Sequence, residues 1–98
     1  MLSSRQRAEL RSRAHSLKAL VQIGKEGLTD AAVASVRQAF NTRDLLKVKV
    51  QEMAPAPARE TAQALADALD GAEVVQVMGR TATLYRPMKD AKPGAAGA

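Results

Sequence analysis

Apolar and polar positions change their period several times along the chain, and each change marks an element. Leu10, Ala14 and Leu17 recur on one stripe of a helix predicted over residues 4 to about 15, which Ser3 and Gln6 open at capping-box spacing. Arg7, Arg11 and His15 form a second stripe beside it. "ALVQI" (19–23) predicts a short strand of the buried kind that ends at Gly24. Thr29 then stands as N-cap, with Asp30 in the first turn and Leu28 and Val33 placed as a hydrophobic staple. The helix that follows buries Val33, Val36 and Phe40. "LLKVKV" (45–50) alternates with period two, so Leu46, Val48 and Val50 face one way and Lys47 and Lys49 the other. One packed face and one wet face are expected there.

After "APAP" (54–57), Ala62, Leu65 and Leu69 mark a third helix from about Ala58 to Asp70, stopped by Gly71. "EVVQVMGRTATLYRP" carries two alternating runs joined at Gly79-Arg80, with glycine first as a type II′ hairpin turn prefers. Pairing Met78 with Thr81 sets Val77 opposite Ala82 and Val75 opposite Leu84 on the apolar side, and leaves Gln76, Thr83, Val74 and Tyr85 on the other. Pro87 ends the strand, and the Ala/Gly-rich residues 89–98 are expected to be a disordered tail. The order of elements predicts an α/β two-layer sandwich, with the second and third helices on the apolar face of a four-stranded mixed sheet. The first helix has no place assigned by pattern alone.

Composition narrows the chemistry. A chain of 98 residues makes one domain with a modest core. It has no cysteine and a single histidine, His15, which removes disulfides, thiolate chemistry and multi-histidine metal cages. No apolar stretch approaches the roughly 20 residues of a membrane span, and "MLSSRQRAEL" has no apolar core of a signal peptide, so a soluble cytoplasmic protein is expected. The net charge of +5 is uneven: residues 1–50 hold ten Lys/Arg against four Asp/Glu, and residues 51–98 hold five against six. A positive field concentrated in one half favours a polyanion or an anionic surface over an uncharged metabolite.

"VQIGKEGLTDAA" (21–32) is the stretch with the most chemistry. Two glycines bracket Lys25 and Glu26 between a strand and a helix N-terminus, whose first amides lack intrahelical partners and attract anions. Glycine corners permit unusual torsions and remove Cβ atoms, so a phosphodiester backbone can lie close while Lys25 adds charge. Strand, GxxG and helix together are also how KH domains clamp a nucleic-acid backbone. A tight connection with nothing bound would look the same. Dinucleotide and P-loop spacings are missing, and with Phe40 in a helix face only Tyr85 remains for base stacking, so RNA contact must rest on amides and Lys/Arg. No spacing of the five serines, one histidine and ten carboxylates assembles a nucleophile, base and orienter, so no enzyme activity is expected.

"RAHSLKALVQIGKEGLT", "LLKVKV" and "VVQVMGRTATLYRP", in this order, resemble the CRM domain (chloroplast RNA splicing and ribosome maturation), in particular its stand-alone bacterial, YhbY-like form. The likeness covers about residues 3–88 and implies an RNA-binding domain over residues 1–88. It implies an α-β-α-β-α-β-β order similar to the C-terminal domain of bacterial translation initiation factor three, with the last strand (81–86) inside the sheet and antiparallel to its neighbours. It further implies ribosome biogenesis: association with ribosomal RNA of large-subunit precursors, with ribosomal proteins as further partners. By position the loop falls on Gly24, Lys25, Glu26 and Gly27 and continues into Leu28 and Thr29, with Glu26 expected to point to solvent. Lys18 and Arg11 belong to the neighbouring basic surface, to which the first-helix stripe adds Arg7. Lys47, Lys49, Arg80 and Arg86 are secondary RNA candidates. Ala19 stands where members often have proline, and "QEMAPAPARE" replaces a more charged approach to the third helix. A monomer without cofactor or metal is expected. The alternative is a module that docks on a ribosomal protein through the Lys47/Lys49 face.

Overall fold

A computed structural model describes residues 2–87, so the tail expected over residues 89–98 lies outside the described residues. Its elements are α1 (Ser4–Ala14), β1 (Ala19–Ile23), α2 (Asp30–Ala39), β2 (Leu45–Val50), α3 (Ala58–Ala68), β3 (Glu73–Met78) and β4 (Thr81–Tyr85). The predicted fold class holds, and so do the local signals that open the first two helices. Ser3 and Gln6 form a reciprocal capping box on α1, and the Thr29 side chain accepts from the Ala32 amide on α2. α3 ends two residues before the expected Asp70, because Leu69 leaves helical torsions at φ −111° to enter the core and Gly71 reverses the chain at φ +84°.

The four strands form one sheet in the order β1-β2-β4-β3, with β1 and β2 parallel across α2 and β4 antiparallel to both neighbours. The last strand therefore lies inside the sheet, as expected. β1 is an edge strand, which corrects its buried assignment. Only Ile23 is fully buried in it, Leu20 keeps 46% of its surface, and a bulge breaks its register with β2 between Ala19 and Val21. A bulged edge of this kind discourages further strand pairing.

Ile23, Val36, Phe40, Leu46, Val48, Val50, Leu65, Leu69 and Leu84 form the main core under α2 and α3. A second, smaller core lies on the other side of the sheet, where Leu10 and Ala14 of α1 meet Leu45 and Val75. It accounts for the placement of α1, and it makes the expected wet face wet only beyond that helix. Leu17, expected on the buried stripe, keeps 38% of its surface because α1 has ended before it.

The expected pairing of Val75 with Leu84 is also corrected. Met78–Thr81 and Val77–Ala82 pair as predicted, but the register shifts between Val74 and Gln76, so Val74 pairs with Leu84 and Glu73 with Tyr85. The extra residue turns Val75 toward α1, and strict alternation cannot anticipate such a reversal. A bidentate contact from Arg13 to Asp44, 2.8 Å at its shorter leg, ties α1 to the turn before β2. The Asp44 carboxylate raises the Arg13 guanidinium still further, but both partners are too exposed for the pair to exceed about 1 kcal/mol.

Candidate nucleic-acid interface

The chain leaves β1 at Gly24 and closes a tight turn in which the Gly27 amide donates to the Gly24 carbonyl at 2.9 Å. The two glycines are not equivalent. Gly27 sits at φ +70°, and a Cβ there would lie 2.9 Å from Pro55 Cγ. Gly24 has no such torsion, and its Cβ would meet only the flexible end of Gln51 at 3.2 Å. Of the two corners where glycine permits an unusual torsion, only Gly27 adopts one.

Gly27, Thr29 and Ala32 use their amides within the loop and cap. The amides of Lys25, Glu26, Asp30 and Ala31 take no part in the hydrogen bonds found among the described residues. Lys25 and Glu26 are both exposed, so the expected outward position of Glu26 fits. Leu28 is partly buried and packs against the main core, as Val33 does, and so helps to hold the loop. The loop borders an open groove of about 450 Å³ whose other wall is made by Gln22, Gln51 and Met53.

Gln51, Met53 and Pro55 join the site without any signal for it in the sequence pattern. All three belong to "QEMAPAPARE", the segment that departs from the family pattern, and it lies directly across from the loop. Gln51 is fixed there by its amide, which donates to the Ile23 carbonyl, and by its side chain, which donates to Gln22 Oε1. This wall is built across nearly thirty residues of chain, so no local spacing can show it.

The remaining candidates fall at two ends of the sheet. Lys49 and Arg80 lie toward the loop end, since Lys49 pairs with Gln22 and the Arg80 carbonyl accepts from the Val50 amide. Arg80 also meets Glu52 at 3.5 Å across an exposed surface. Lys18 precedes β1, roughly 20 Å of extended chain away from Gly24. Arg86, whose amide donates to the Asp44 carbonyl, is at that far end, together with Arg7 and Arg11 on α1. The expected basic surface around the loop is therefore divided, with Lys47 between its parts.

Arg7 is the candidate most engaged by the fold. Its guanidinium donates to the Val74 and Val75 carbonyls at 3.0 and 2.6 Å, holding the bulge. Arg7→Met keeps the stem and removes both bonds, and is expected to lower stability by about 1–3 kcal/mol while leaving the salt dependence of RNA binding unchanged. Thermal melting beside a salt titration checks this. A shallower salt dependence at full stability would instead assign Arg7 to the ligand.

Among the described residues no three His, Cys, Asp or Glu side chains gather as a metal site, and no helix is long and apolar enough to cross a membrane. The CRS1/YhbY (CRM) domain model matches residues 2–86. The chain is 34% identical to the probable RNA-binding protein YqeI of Bacillus subtilis, over 94% of this chain and 95% of that one. It is 37% identical to an RNA-binding protein of Haemophilus influenzae, over 93% and 91%. A solution structure of a hypothetical Staphylococcus aureus protein, described as a candidate RNA binder, superposes with a TM-score of 0.77 at 34% identity, covering 91% of this chain and 92% of that one.

Proposed function

The chain belongs to the CRS1/YhbY (CRM) domain family, and on that premise we propose that it is an RNA-binding protein that grips the phosphate backbone through its GxxG loop. The observation that carries this is the loop itself. Gly27 is held in a torsion and a close approach to Pro55 that exclude a side chain, next to unengaged amides and an exposed lysine at the mouth of a groove. Relatives named as RNA-binding proteins over nearly their whole length support the ligand class. By likeness to the stand-alone bacterial members we extend the proposal to ribosomal RNA of large-subunit precursors, bound by a monomer in the cytoplasm without catalysis.

Backbone binding implies steep salt dependence. Lys25→Ala is expected to make the slope of log affinity against log salt shallower by about 0.7–0.9 with little change in melting, because the side chain is exposed. Changing Lys25 and Glu26 together to aspartate goes further. Lys25, Glu26 and Asp30 then pass from one positive and two negative charges to three negative ones, beside a helix N-terminus that tolerates acids. The fold should survive and RNA should be repelled. A folded double variant that binds RNA as tightly as the parent would reduce the loop to a connection.

A further inference from the structure

We propose that a single-stranded RNA segment runs along the β1–β2 edge of the sheet, its phosphates following Lys25, Lys49, Lys47 and Lys18 in turn. RNA binding itself is the premise, and what is added is the path and strandedness of the ligand. The register puts the lysines in line. Lys49 pairs with Gln22 and Lys47 with Ala19, so the two project from the same sheet face one pleat apart. Lys25 continues the line past one end of β1 and Lys18 past the other. The step from Lys49 to Lys47 is about 6.6 Å, comparable to the separation of neighbouring phosphates on an extended strand. The whole line measures roughly 23 Å.

Charge complementarity favours this occupant. The ion pairs of the described residues engage Arg13 and Arg80, and the four lysines stand outside them. In the two rows that cross this face, Gln22-Lys49-Thr81-Met78 and Ala19-Lys47-Thr83-Gln76, there is no carboxylate. α1 packs on this side of the sheet at Leu45 and Val75. Cover reaches the second row, where Thr83 is buried and Lys47 half-buried, so the open part of the face is the Lys49 row and the β1 edge. An acidic protein segment would also answer the lysines, but the inner half of the face adds something specific. Next to the track lie the amide of Gln76, the hydroxyl of Thr81 and the thioether of Met78, which keeps 67% of its surface. Such groups meet unpaired base edges and faces, which a duplex hides in its grooves.

The test compares RNA binding by the parent and by the Lys47→Gln, Lys49→Gln double variant, using a single strand of about ten nucleotides and a duplex of equal length. Both proteins are melted in parallel. Glutamine keeps most of the stem, so folding should be retained. Removing two phosphate interactions with a single strand makes the salt slope shallower by about 1.4. Between about 50 and 200 mM salt the parent should thus lose about sevenfold more affinity than the variant. The parent should also prefer the single strand. A variant with the parent's slope, while the loop variants still weaken RNA binding, overturns the track and leaves the loop standing. Equal or tighter binding of the duplex by the parent overturns the strandedness. A parent that binds neither RNA overturns the track together with its premise.

Discussion

Gly27→Val should cost the protein about 2–4 kcal/mol, whereas Gly24→Ala should leave it within about 1 kcal/mol of the parent. At Gly27 two penalties coincide. A β-branched residue at φ +70° is strained, and its Cβ would stand 2.9 Å from a ring atom of Pro55, which the "APAP" segment cannot easily withdraw. At Gly24 the torsion is ordinary, and the Gln51 side chain has to yield by only a few tenths of an ångström. Melting temperatures should separate by on the order of 10–20 °C. RNA affinity at a temperature where both variants are folded should fall for Gly27→Val, whose loop must move off the groove wall. Equal melting of the two variants would show that the close approach to Pro55 is not a constraint on the loop.

The contrast between the two glycines also shows what is legible in the sequence. The GxxG spacing between a strand and a capped helix is plain, because every signal for it is local: Gly24 at the strand end, Thr29 as cap, Leu28 and Val33 as staple. Which glycine is indispensable cannot be read there, since the answer lies in Pro55, twenty-eight residues further on. The same division runs through the fold. β2 is legible because its alternation is strict from Leu46 to Val50. The interior position of β4 comes from the family likeness and not from its own pattern. β3 misleads at one point, where the bulge at Val75 reverses the side its neighbours take.

α1 is the element least legible. Its apolar stripe amounts to Leu10 and Ala14 in a helix otherwise rich in arginine, too little to announce a docking face. The partners that complete that face, Leu45 and Val75, belong elsewhere by pattern: Leu45 to the start of an alternating strand and Val75 to the opposite side of the sheet. Arg7 looks like part of a basic surface for the same reason. Its carbonyl acceptors exist only because β3 bulges there. Where a charge is used by the backbone of a distant strand, composition counts it toward the ligand and the fold does not.

Leu84→Ala is expected to be the most damaging single truncation, costing about 3–5 kcal/mol. The residue is on the central strand, fully buried, between Leu46 and Val74 of the neighbouring strands and within the core beneath α2 and α3. Neighbours on both sides are held by the sheet, so the cavity left by the truncated side chain cannot collapse. A domain of this length has about 5–15 kcal/mol to lose, so the variant should melt on the order of 15–30 °C lower. Leu84→Met conserves volume and should stay within about 1.5 kcal/mol. RNA binding separates this effect from those at the loop. Leu84 is on the α2/α3 side of the sheet, away from Lys47 and Lys49, so molecules of Leu84→Ala that remain folded at low temperature should bind RNA with the parent's affinity and salt slope. A loss of affinity in the folded variant would mean that the core beneath α2 sets the posture of the loop, and that stability and binding cannot be varied independently in this fold.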